Sequence, residues 1–330
     1  MINSEFTATD SAARTQDMKE SNPAKAPRAL IIFHRIDFDG ICSCAVAHDA
    51  LSQMRYDIQL FPFTHGDEEP GKEFLDSFNY VCIVDVSLSP ETMKRLCQRA
   101  FGAQHFRCTW IDHHKTSIED SFKHGYDLLL GIRTNGIAAC ELAWYYYHGV
   151  DASVPGFIQM LSCHDVYDKV RLDWDGMTEP FQYGMRYVYG LDADKFLKDF
   201  PKMHEKAFTD KIICTGKAIY EYTRQNEERG VATYGFPVLV AGAHKGIACL
   251  TSSFGSLGFE RLLEENRSTI SVCVNRKNGQ YKISLYGSRD NTLDLGAYCR
   301  EHFGGGGHYN AAGGFLSREE FIRLIEEGVL

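Results

Sequence analysis

Short apolar runs alternate with stretches of helical periodicity in the first part of the chain. The runs Ala29–Phe33, Tyr80–Val86 and Phe106–Ile111 are predominantly apolar, which is typical of strands buried on both faces. Between them, apolar residues recur at helical spacing over Ile41–Leu51 and after the Ser89-Pro90 pair, which forms an N-terminal helix signal. This order predicts an α/β fold built on a parallel sheet with right-handed crossovers.

The middle of the chain combines two helical segments with one stretch that lacks periodicity. Residues Asn135–Gly149 have the pattern of a helix, and Met203–Arg229 have that of a long charged helix. Residues 170–205 are rich in glycine, aspartate and aromatic residues, which predicts irregular structure. We therefore place a linker helix at 206–230, between two domains.

The C-terminal part of the chain predicts a second, smaller α/β unit. A strand is expected at Pro237–Ala241 and a helix at Leu293–His302. Ile270–Asn275 and Tyr281–Tyr286 form a predicted hairpin, because the Asn278-Gly279 pair between them favours a tight turn. The predicted regions are a disordered N-terminal tail over 1–27, a first domain over 28–205, the linker helix over 206–230 and a second domain over 231–330.

Composition and charge restrict the class of protein and its partners. The chain has 44% hydrophobic and 24% charged residues, which excludes a fibrous or wholly disordered protein. A net charge of −9 argues against a broad basic face that grips long duplex nucleic acid. No apolar run approaches the roughly 18 residues of a membrane span. Eleven cysteines without a Cys-x-x-Cys pair indicate a reducing compartment without structural zinc, so we expect a cytoplasmic protein.

Acidic and histidine side chains follow the three predicted parallel strands at the point where each strand ends. They are His34, Asp37, Asp39, Asp85, Asp112, His113 and His114. Because like charges about 4 Å apart repel by about 1 kcal/mol even in water, such a cluster requires cations. Carboxylate and imidazole ligands without thiolate suit Mn²⁺ or Mg²⁺, with Zn²⁺ or Co²⁺ as alternatives. There are enough ligands for two ions.

Each of these residues has an ordinary structural explanation when it is taken alone. A single aspartate after a strand usually caps a helix or makes a turn, and a single histidine is usually a surface or packing residue. Three strand ends with such side chains at one edge of a sheet instead favour a metal site.

A run of glycines near the C-terminus suggests a second binding feature. Gly304–Gly307 would let backbone N–H groups approach an anion closely, although glycines alone are equally typical of a flexible turn. His308 follows the run directly, and Arg289 precedes it, offering a guanidinium that can bind phosphate in a bidentate manner. These residues favour a phosphate or nucleotide clamp made by Arg289, Gly305, Gly306, Gly307 and His308.

Five ordered motifs together resemble those of the DHH phosphoesterases. In chain order they are the turn from His34 to Gly40, Asp85 in Val84–Ser87, Asp112-His113-His114, Asp165 in Cys163–Tyr167, and Gly304–His308 with Ala311-Ala312-Gly313, the last being similar to the DHH-associated domain. The resemblance spans roughly residues 29 to 330. It implies a parallel-sheet DHH domain, a smaller α/β DHH-associated domain that binds substrate, and an active site in the cleft between them.

The resemblance also implies roles for particular residues. His34, Asp37 and Asp85 would bind one ion, and Asp39, Asp85, His113 and Asp165 the other. Asp85 would bridge the two ions, and His114 would lie beside the scissile phosphate. Two residues separate His34 from Asp37, whereas familiar members have one or three. Asp168, three residues after Asp165, is the alternative ligand of the fourth motif.

The expected function is hydrolysis of short oligonucleotides or linear dinucleotides to mononucleotides, as in oligoribonucleases of the resembled family. Two divalent ions, Mn²⁺ before Mg²⁺ or Co²⁺, are the expected cofactors. The alternatives are a cyclic-dinucleotide phosphodiesterase, a RecJ-type single-strand exonuclease, a pyrophosphatase or exopolyphosphatase, and a catalytically silent scaffold. We expect no long duplex and no membrane among the partners, and the sequence leaves a homodimer open.

Overall fold

The computed structural model describes residues 26–250, 259, 263 and 268–330. The disordered tail predicted for residues 1–27 lies outside the described residues, apart from its last two. The described elements form two sheets with helices around them, which confirms the predicted α/β class. In the described part of the chain, no helix combines the length and the apolar character that a membrane span requires.

The first sheet is fully parallel, with strand order β2-β1-β3-β4. Its strands are β1 Arg28–His34, β2 Asp57–Phe63, β3 Tyr80–Val84 and β4 Arg107–Ile111. The three predicted strands are confirmed, except that β3 ends at Val84, because Asp85 adopts a left-handed conformation that leaves the sheet. Strand β2 was not predicted; it lies at the edge of the sheet, where buried and exposed positions are mixed.

Helices cover both faces of this sheet, and α3 begins with the cap that the sequence indicated. They are α1 Phe38–Gln53, α2 Lys72–Asp76, α3 Pro90–Gly102, α4 Lys115–His124, α5 Ala139–His148 and α6 Gly156–Asp165. Ser89 is the N-cap of α3, since its hydroxyl accepts the Thr92 N–H. Helix α1 is longer than predicted at both ends, and α5 is shorter than predicted at its N-terminus.

The prediction of irregular structure over residues 170–205 is wrong. The structure has a π-helical turn at Trp174–Thr178, helix α7 at Glu179–Tyr189, helix α8 at Ala193–Asp199 and a 3₁₀ turn at Phe200–His204. Helix α7 packs against the long helix α9, Lys206–Tyr234, where a Cβ on Gly216 would lie 1.8 Å from the Pro180 carbonyl oxygen. Within residues 170–205, Gly184 likewise permits close helix packing, since a Cβ on it would lie 2.1 Å from the Ile212 carbonyl oxygen, whereas Gly190 ends α7 with a φ of 63°.

The second sheet is mixed, with strand order β5-β6-β7-β8-β10-β9. Its strands are β5 Phe236–Val240, β6 His244–Leu250, β7 Ile270–Lys277, β8 Gln280–Gly287, β9 Gly306–Gly307 and β10 Ala311–Leu316, and its helices are α10 Leu295–Phe303 and α11 Arg318–Glu327. The hairpin between β7 and β8 is confirmed, and both Asn278 and Gly279 have positive φ, as a primed turn requires. Strands β6 and β10 contain glycines, which conceal a strand pattern, and were not predicted.

Candidate metal centre

Asp85 is the centre of a cluster at the carboxyl edge of the first sheet. Its Oδ2 lies 3.4 Å from His34 Nδ1, and its Oδ1 lies 3.2 Å from His113 Nε2 and 3.8 Å from His114 Nδ1. The carboxylate is 2% exposed. Parallel strands end at the same edge, so β1, β3 and β4 bring these residues together although they are far apart in the sequence. Asp85 thus lies between the groups expected to bind the two ions.

The backbone of Asp85 is strained in a way that fits a functional position. Its φ is 59°, in the left-handed region that a non-glycine residue rarely adopts, and its N–H donates to the Ile111 carbonyl oxygen at 2.9 Å. Such a conformation costs of order 1–3 kcal/mol and persists where the surrounding structure fixes it. Here the turn directs the carboxylate from the end of β3 towards the histidines.

The first candidate ligand group consists of His34, Asp37 and Asp85, whose ligand atoms lie within 4.8 Å of one another. His34 Nδ1 is 2.7 Å from Asp37 Oδ2, while Asp37 Oδ1 accepts the Gly40 N–H and caps α1. Asp37 is therefore both a helix cap and a member of the cluster. Glycine is required at position 40 because a Cβ there would lie 2.1 Å from the His34 carbonyl oxygen.

The second candidate ligand group consists of Asp39, His113 and Asp165. His113 Nε2 lies 3.5 Å from Asp39 Oδ2 and 3.3 Å from Asp165 Oδ2. The two Asp39 oxygens also accept the N–H groups of Ala139 and Cys140 at 2.8 and 2.7 Å, so the first turn of α5 holds this carboxylate. Asp165 reaches the cluster from the C-terminal end of α6.

Asp168, the alternative ligand of the fourth motif, occupies a different position. Its Oδ1 accepts the N–H groups of Val170 and Arg171 at 3.0 and 3.2 Å, which makes it a turn residue. The structure thus brings Asp165, and not Asp168, to the other members of the second group.

Asp112 orients the two histidines that follow it. Its Oδ1 accepts the backbone N–H groups of His113 and His114 at 2.8 and 3.1 Å and lies 2.7 Å from His114 Nδ1. Its Oδ2 accepts the Trp110 indole N–H at 3.2 Å, and the side chain is fully buried. This bond to Nδ1 leaves Nε2 of His114 as the ring atom that is available to a substrate.

Without metal ions, the cluster is expected to retain protons. Burial, together with the charges of Asp39 and Asp37, raises the pKa of Asp85 well above its ordinary value. Burial alone would lower the pKa of His34, but hydrogen bonds to Asp37 and Asp85 and their charges raise it to about 10. As for Asp85, burial raises the pKa of the Asp165 carboxyl group, here to about 6. Protons on these groups provide the positive charge that cations would otherwise supply.

The donor set fits divalent metal ions. Asp85 Oδ1 and Asp165 Oδ2 are buried side-chain oxygens that have no hydrogen-bond partner among the described residues, and such atoms are rare unless an ion or water binds them. All members offer carboxylate oxygen or imidazole nitrogen, which Mn²⁺ and Mg²⁺ accept, and none offers a thiolate. The residues present therefore suit the two-ion site that the sequence predicts.

His308, which was predicted to bind substrate, lies against the metal cluster. Its ring stacks on His114 with centroids 5.0 Å apart and lies 5.1 Å from the ring of His113. Burial and the positive charges of these two histidines lower the pKa of His308 to about 4. Nearby, Lys115 Nζ lies 3.5 Å from Asp294 Oδ2, which joins the start of α4 to the N-cap of α10. The glycine run thus ends at the metal centre.

The glycines of the run have different structural roles. Gly304 has φ 60° and ends α10 in the left-handed conformation, and Gly307 has φ 140°. A Cβ on Gly305 would lie 1.8 Å from the Gly313 carbonyl oxygen, whereas Gly306 has open space at the same position. Gly304, Gly305 and Gly307 are therefore required by the backbone itself. Arg289 is exposed on the turn after β8.

His65 is a further residue at this edge that the sequence analysis missed. It follows β2 closely, and partial burial together with the positive charges of His114 and His34 lowers its pKa. The adjacent Thr64 hydroxyl lies 3.3 Å from His34 Nε2. Recognition of β2 as a fourth parallel strand would have found His65 by the same strand-end rule that found the other residues.

Comparisons with known proteins identify the fold. No family model and no curated protein matches the chain. Among solved structures, a DHH domain from a member of the s1p family of ribosomal proteins has a TM-score of 0.56 at 14% identity, covering 91% of this chain and 86% of that one. RecJ from Thermus thermophilus in complex with Mn²⁺ has a TM-score of 0.51 at 14% identity, covering 91% of this chain.

A third structure, the pGpG-specific phosphodiesterase PggH from Vibrio cholerae, has a TM-score of 0.50 at 15% identity, covering 91% of this chain and 97% of that one. The chain spans about half the length of RecJ, with 51% of that protein covered. At these identities the comparisons show the fold, which is the DHH fold that the five motifs implied.

Proposed function

We propose that this chain, which has the DHH fold, is a metal-dependent phosphodiesterase that hydrolyses short oligonucleotides or linear dinucleotides to mononucleotides. The observation that supports this function is the convergence of buried carboxylates and histidines on Asp85, where Asp85 Oδ1 and Asp165 Oδ2 have no hydrogen-bond partner in the described part of the chain. A buried acidic cluster of this kind has no evident structural use, because its mutual repulsion opposes folding.

In this proposal the side chains divide into ligands and groups that face the substrate. His34, Asp37 and Asp85 hold one divalent ion, and Asp39, Asp85, His113 and Asp165 hold the other. Two divalent ions in such a site supply an acidified water and stabilise charge on phosphate oxygens. His114, oriented by Asp112, offers its Nε2 to the phosphate. His308 stacks on the ring of His114 and shields the face that it covers from water.

A short substrate agrees with both the charge and the size of the protein. The net charge of −9 disfavours a long polyanion bound by electrostatic attraction, whereas two divalent ions can compensate one or two phosphates locally. The structural neighbour PggH is named for a linear dinucleotide, which supports the same class of substrate here. The RecJ neighbour was solved with Mn²⁺, which supports a divalent metal ion in this site.

A turnover panel tests this function. Purified protein with Mn²⁺ would be incubated with linear dinucleotides, cyclic dinucleotides, single strands of increasing length, pyrophosphate, polyphosphate and bis-p-nitrophenyl phosphate. We expect mononucleotide release from linear dinucleotides to have the highest kcat/KM, and chelation of the metal to stop it. Asp120→Asn, which changes an exposed carboxylate on α4, is a matched control that should leave the profile unchanged.

The other outcomes identify other functions. Preference for pyrophosphate, for a cyclic dinucleotide or for long single strands would replace the proposed substrate by that class. An intact, metal-loaded protein without turnover on any member of the panel would instead indicate a scaffold.

A further inference from the structure

An ion pair between a buried carboxylate, Glu141, and a partly exposed guanidinium, Arg171, lies near the second candidate ligand group in the sequence. Glu141 in the first turn of α5 is 1% exposed, and both of its carboxylate oxygens accept hydrogen bonds from the Arg171 guanidinium at 2.7 Å. The Tyr145 hydroxyl donates to the same carboxylate at 2.9 Å. A bidentate pair of this kind fixes both distance and orientation, which a single hydrogen bond does not.

The ion pair connects two segments that provide metal ligands. The first turn of α5 holds Asp39 through the N–H groups of Ala139 and Cys140, two residues and one residue before Glu141. Arg171 lies in the loop that follows α6, six residues after Asp165 in the sequence. One helical turn therefore holds Asp39 through its backbone and the loop after Asp165 through Glu141.

The backbone after Asp165 contains a residue in an unfavourable conformation. Tyr167, two residues on, has φ 57°, which a bulky side chain rarely adopts. Asp168 then closes a turn by accepting the N–H groups of Val170 and Arg171. This turn presents the Arg171 guanidinium to Glu141. The segment that contains the strained Tyr167 therefore lies between Asp165 at one end and the Arg171–Glu141 ion pair at the other.

Burial of the Glu141 carboxylate costs free energy unless hydrogen bonds compensate it. Burial alone would raise the pKa of Glu141, and the hydrogen bonds from Arg171 reverse the shift and keep it ionised. Because the Arg171 side chain is 34% exposed, the pair contributes modestly to stability, whereas its bidentate geometry fixes the position of the loop. The two segments that the pair joins are the first turn of α5 and the loop after α6.

We propose that Glu141 and Arg171 are positioning residues for the second ion, holding Asp165 at the distance from Asp39 and His113 that this ion needs. The proposal rests on the two-ion centre of the proposed function and adds the structural pair that assembles its second half. Neither residue belongs to the predicted ligand set, so their effect reaches the ion through Asp165 and Asp39.

Metal binding by the full chain tests this role without requiring turnover. The main variant is Glu141→Gln combined with Arg171→Met, which removes both charges and leaves no buried carboxylate unpaired. Arg171→Lys is the conservative variant, since lysine keeps the charge but cannot form the fork. The matched control is Arg99→Met, because Arg99 binds the carbonyl oxygens of Leu75 and Phe78 in the same domain, away from the cluster.

Mn²⁺ titration calorimetry would count the ions and measure each affinity, and electron paramagnetic resonance would detect the spin coupling of a paired Mn²⁺ centre. In the double variant we expect the ion of His34, Asp37 and Asp85 to bind as in wild type, the second ion to bind about 10- to 100-fold more weakly, and the coupled signal to weaken. Arg171→Lys should lie between wild type and the double variant. Arg99→Met should bind both ions normally even if its melting temperature falls.

Three results would overturn the proposal. They are unchanged affinity for both ions in a folded double variant, equal weakening of both ions, and a wild-type protein that binds fewer than two ions. Circular dichroism would establish folding, and if the double variant does not fold, Arg171→Lys decides by the same criteria. A wild-type protein that binds two ions but hydrolyses no substrate would refute the proposed function while leaving this test fully interpretable.

Discussion

Replacement of Asp112 by asparagine separates orientation of His114 from metal binding. The carbonyl of the substituted side chain can still accept from the N–H groups of His113 and His114, but it no longer has a negative charge facing His114 Nδ1 at 2.7 Å. The new amide group would face the Trp110 indole N–H, which keeps its second acceptor, the Val86 carbonyl oxygen at 3.0 Å. The substitution thus changes charge with little change in shape.

The expected magnitude follows from the bond that loses its charge. A hydrogen bond to a charged group contributes about 1.5–3 kcal/mol and a neutral one about 0.5–1.5 kcal/mol, a difference of roughly 1–1.5 kcal/mol. The Asp112 carboxylate stabilises positive charge on His114 when its Nε2 engages the phosphate, so this difference should appear in the transition state. At about 1.36 kcal/mol per tenfold, kcat should fall roughly 5- to 13-fold.

The assay compares kcat for a linear dinucleotide, Mn²⁺ stoichiometry by calorimetry, and melting temperature for Asp112→Asn and wild type. We expect two bound ions and a reduced kcat. A folded variant with wild-type kcat would refute the orienting role of Asp112. A variant that loses an ion would show that Asp112 acts on the ligand His113 instead of on His114.

Three further predictions test the centre and the second domain. Asp85→Ala should abolish turnover and lower bound Mn²⁺, since Asp85 contacts members of both ligand groups; retention of two ions would contradict a bridging role. Arg289→Ala should cost about 1–3 kcal/mol in kcat/KM for dinucleotides and less for bis-p-nitrophenyl phosphate. His308→Ala should lower kcat/KM for both substrates, because the His308 ring stacks at the metal centre. Equal effects of Arg289→Ala on the two substrates would exclude a contact between Arg289 and the remote part of the dinucleotide. The pKa of His34 is raised from 6.5 to about 10 in the metal-free protein, so its contribution to stability is present below pH 6.5 and is lost as the pH rises through 10. Mn²⁺ binding at neutral pH should therefore release protons, which calorimetry in buffers of different ionisation enthalpy would measure. Absence of proton release would contradict a ligand role for His34.

Much of the fold and the membership of the cluster could be predicted from the sequence because they depend on local signals. Three apolar runs identify three buried strands, and parallel strands end at one edge, so the residues that follow them converge without any further information. Gly40 illustrates how local the first motif is, since the backbone that it approaches closely is that of the nearby His34. The hairpin at Asn278-Gly279 is equally local.

The tertiary structure alone decided the features that depend on contacts between distant segments. Helix α7, Glu179–Tyr189, packs against α9 through Gly216, and a single-segment pattern cannot reveal such a partner. The stacking of His308 on His114 joins residues almost two hundred positions apart, so the sequence could indicate a clamp but not its place at the metal centre. Glu141 and Arg171 give no signal in the sequence, because each lies within an ordinary segment and only the fold places a carboxylate and a guanidinium 2.7 Å apart. Periodicity records which face of an element is buried, whereas the identity of the neighbour that covers it is set by the chain as a whole.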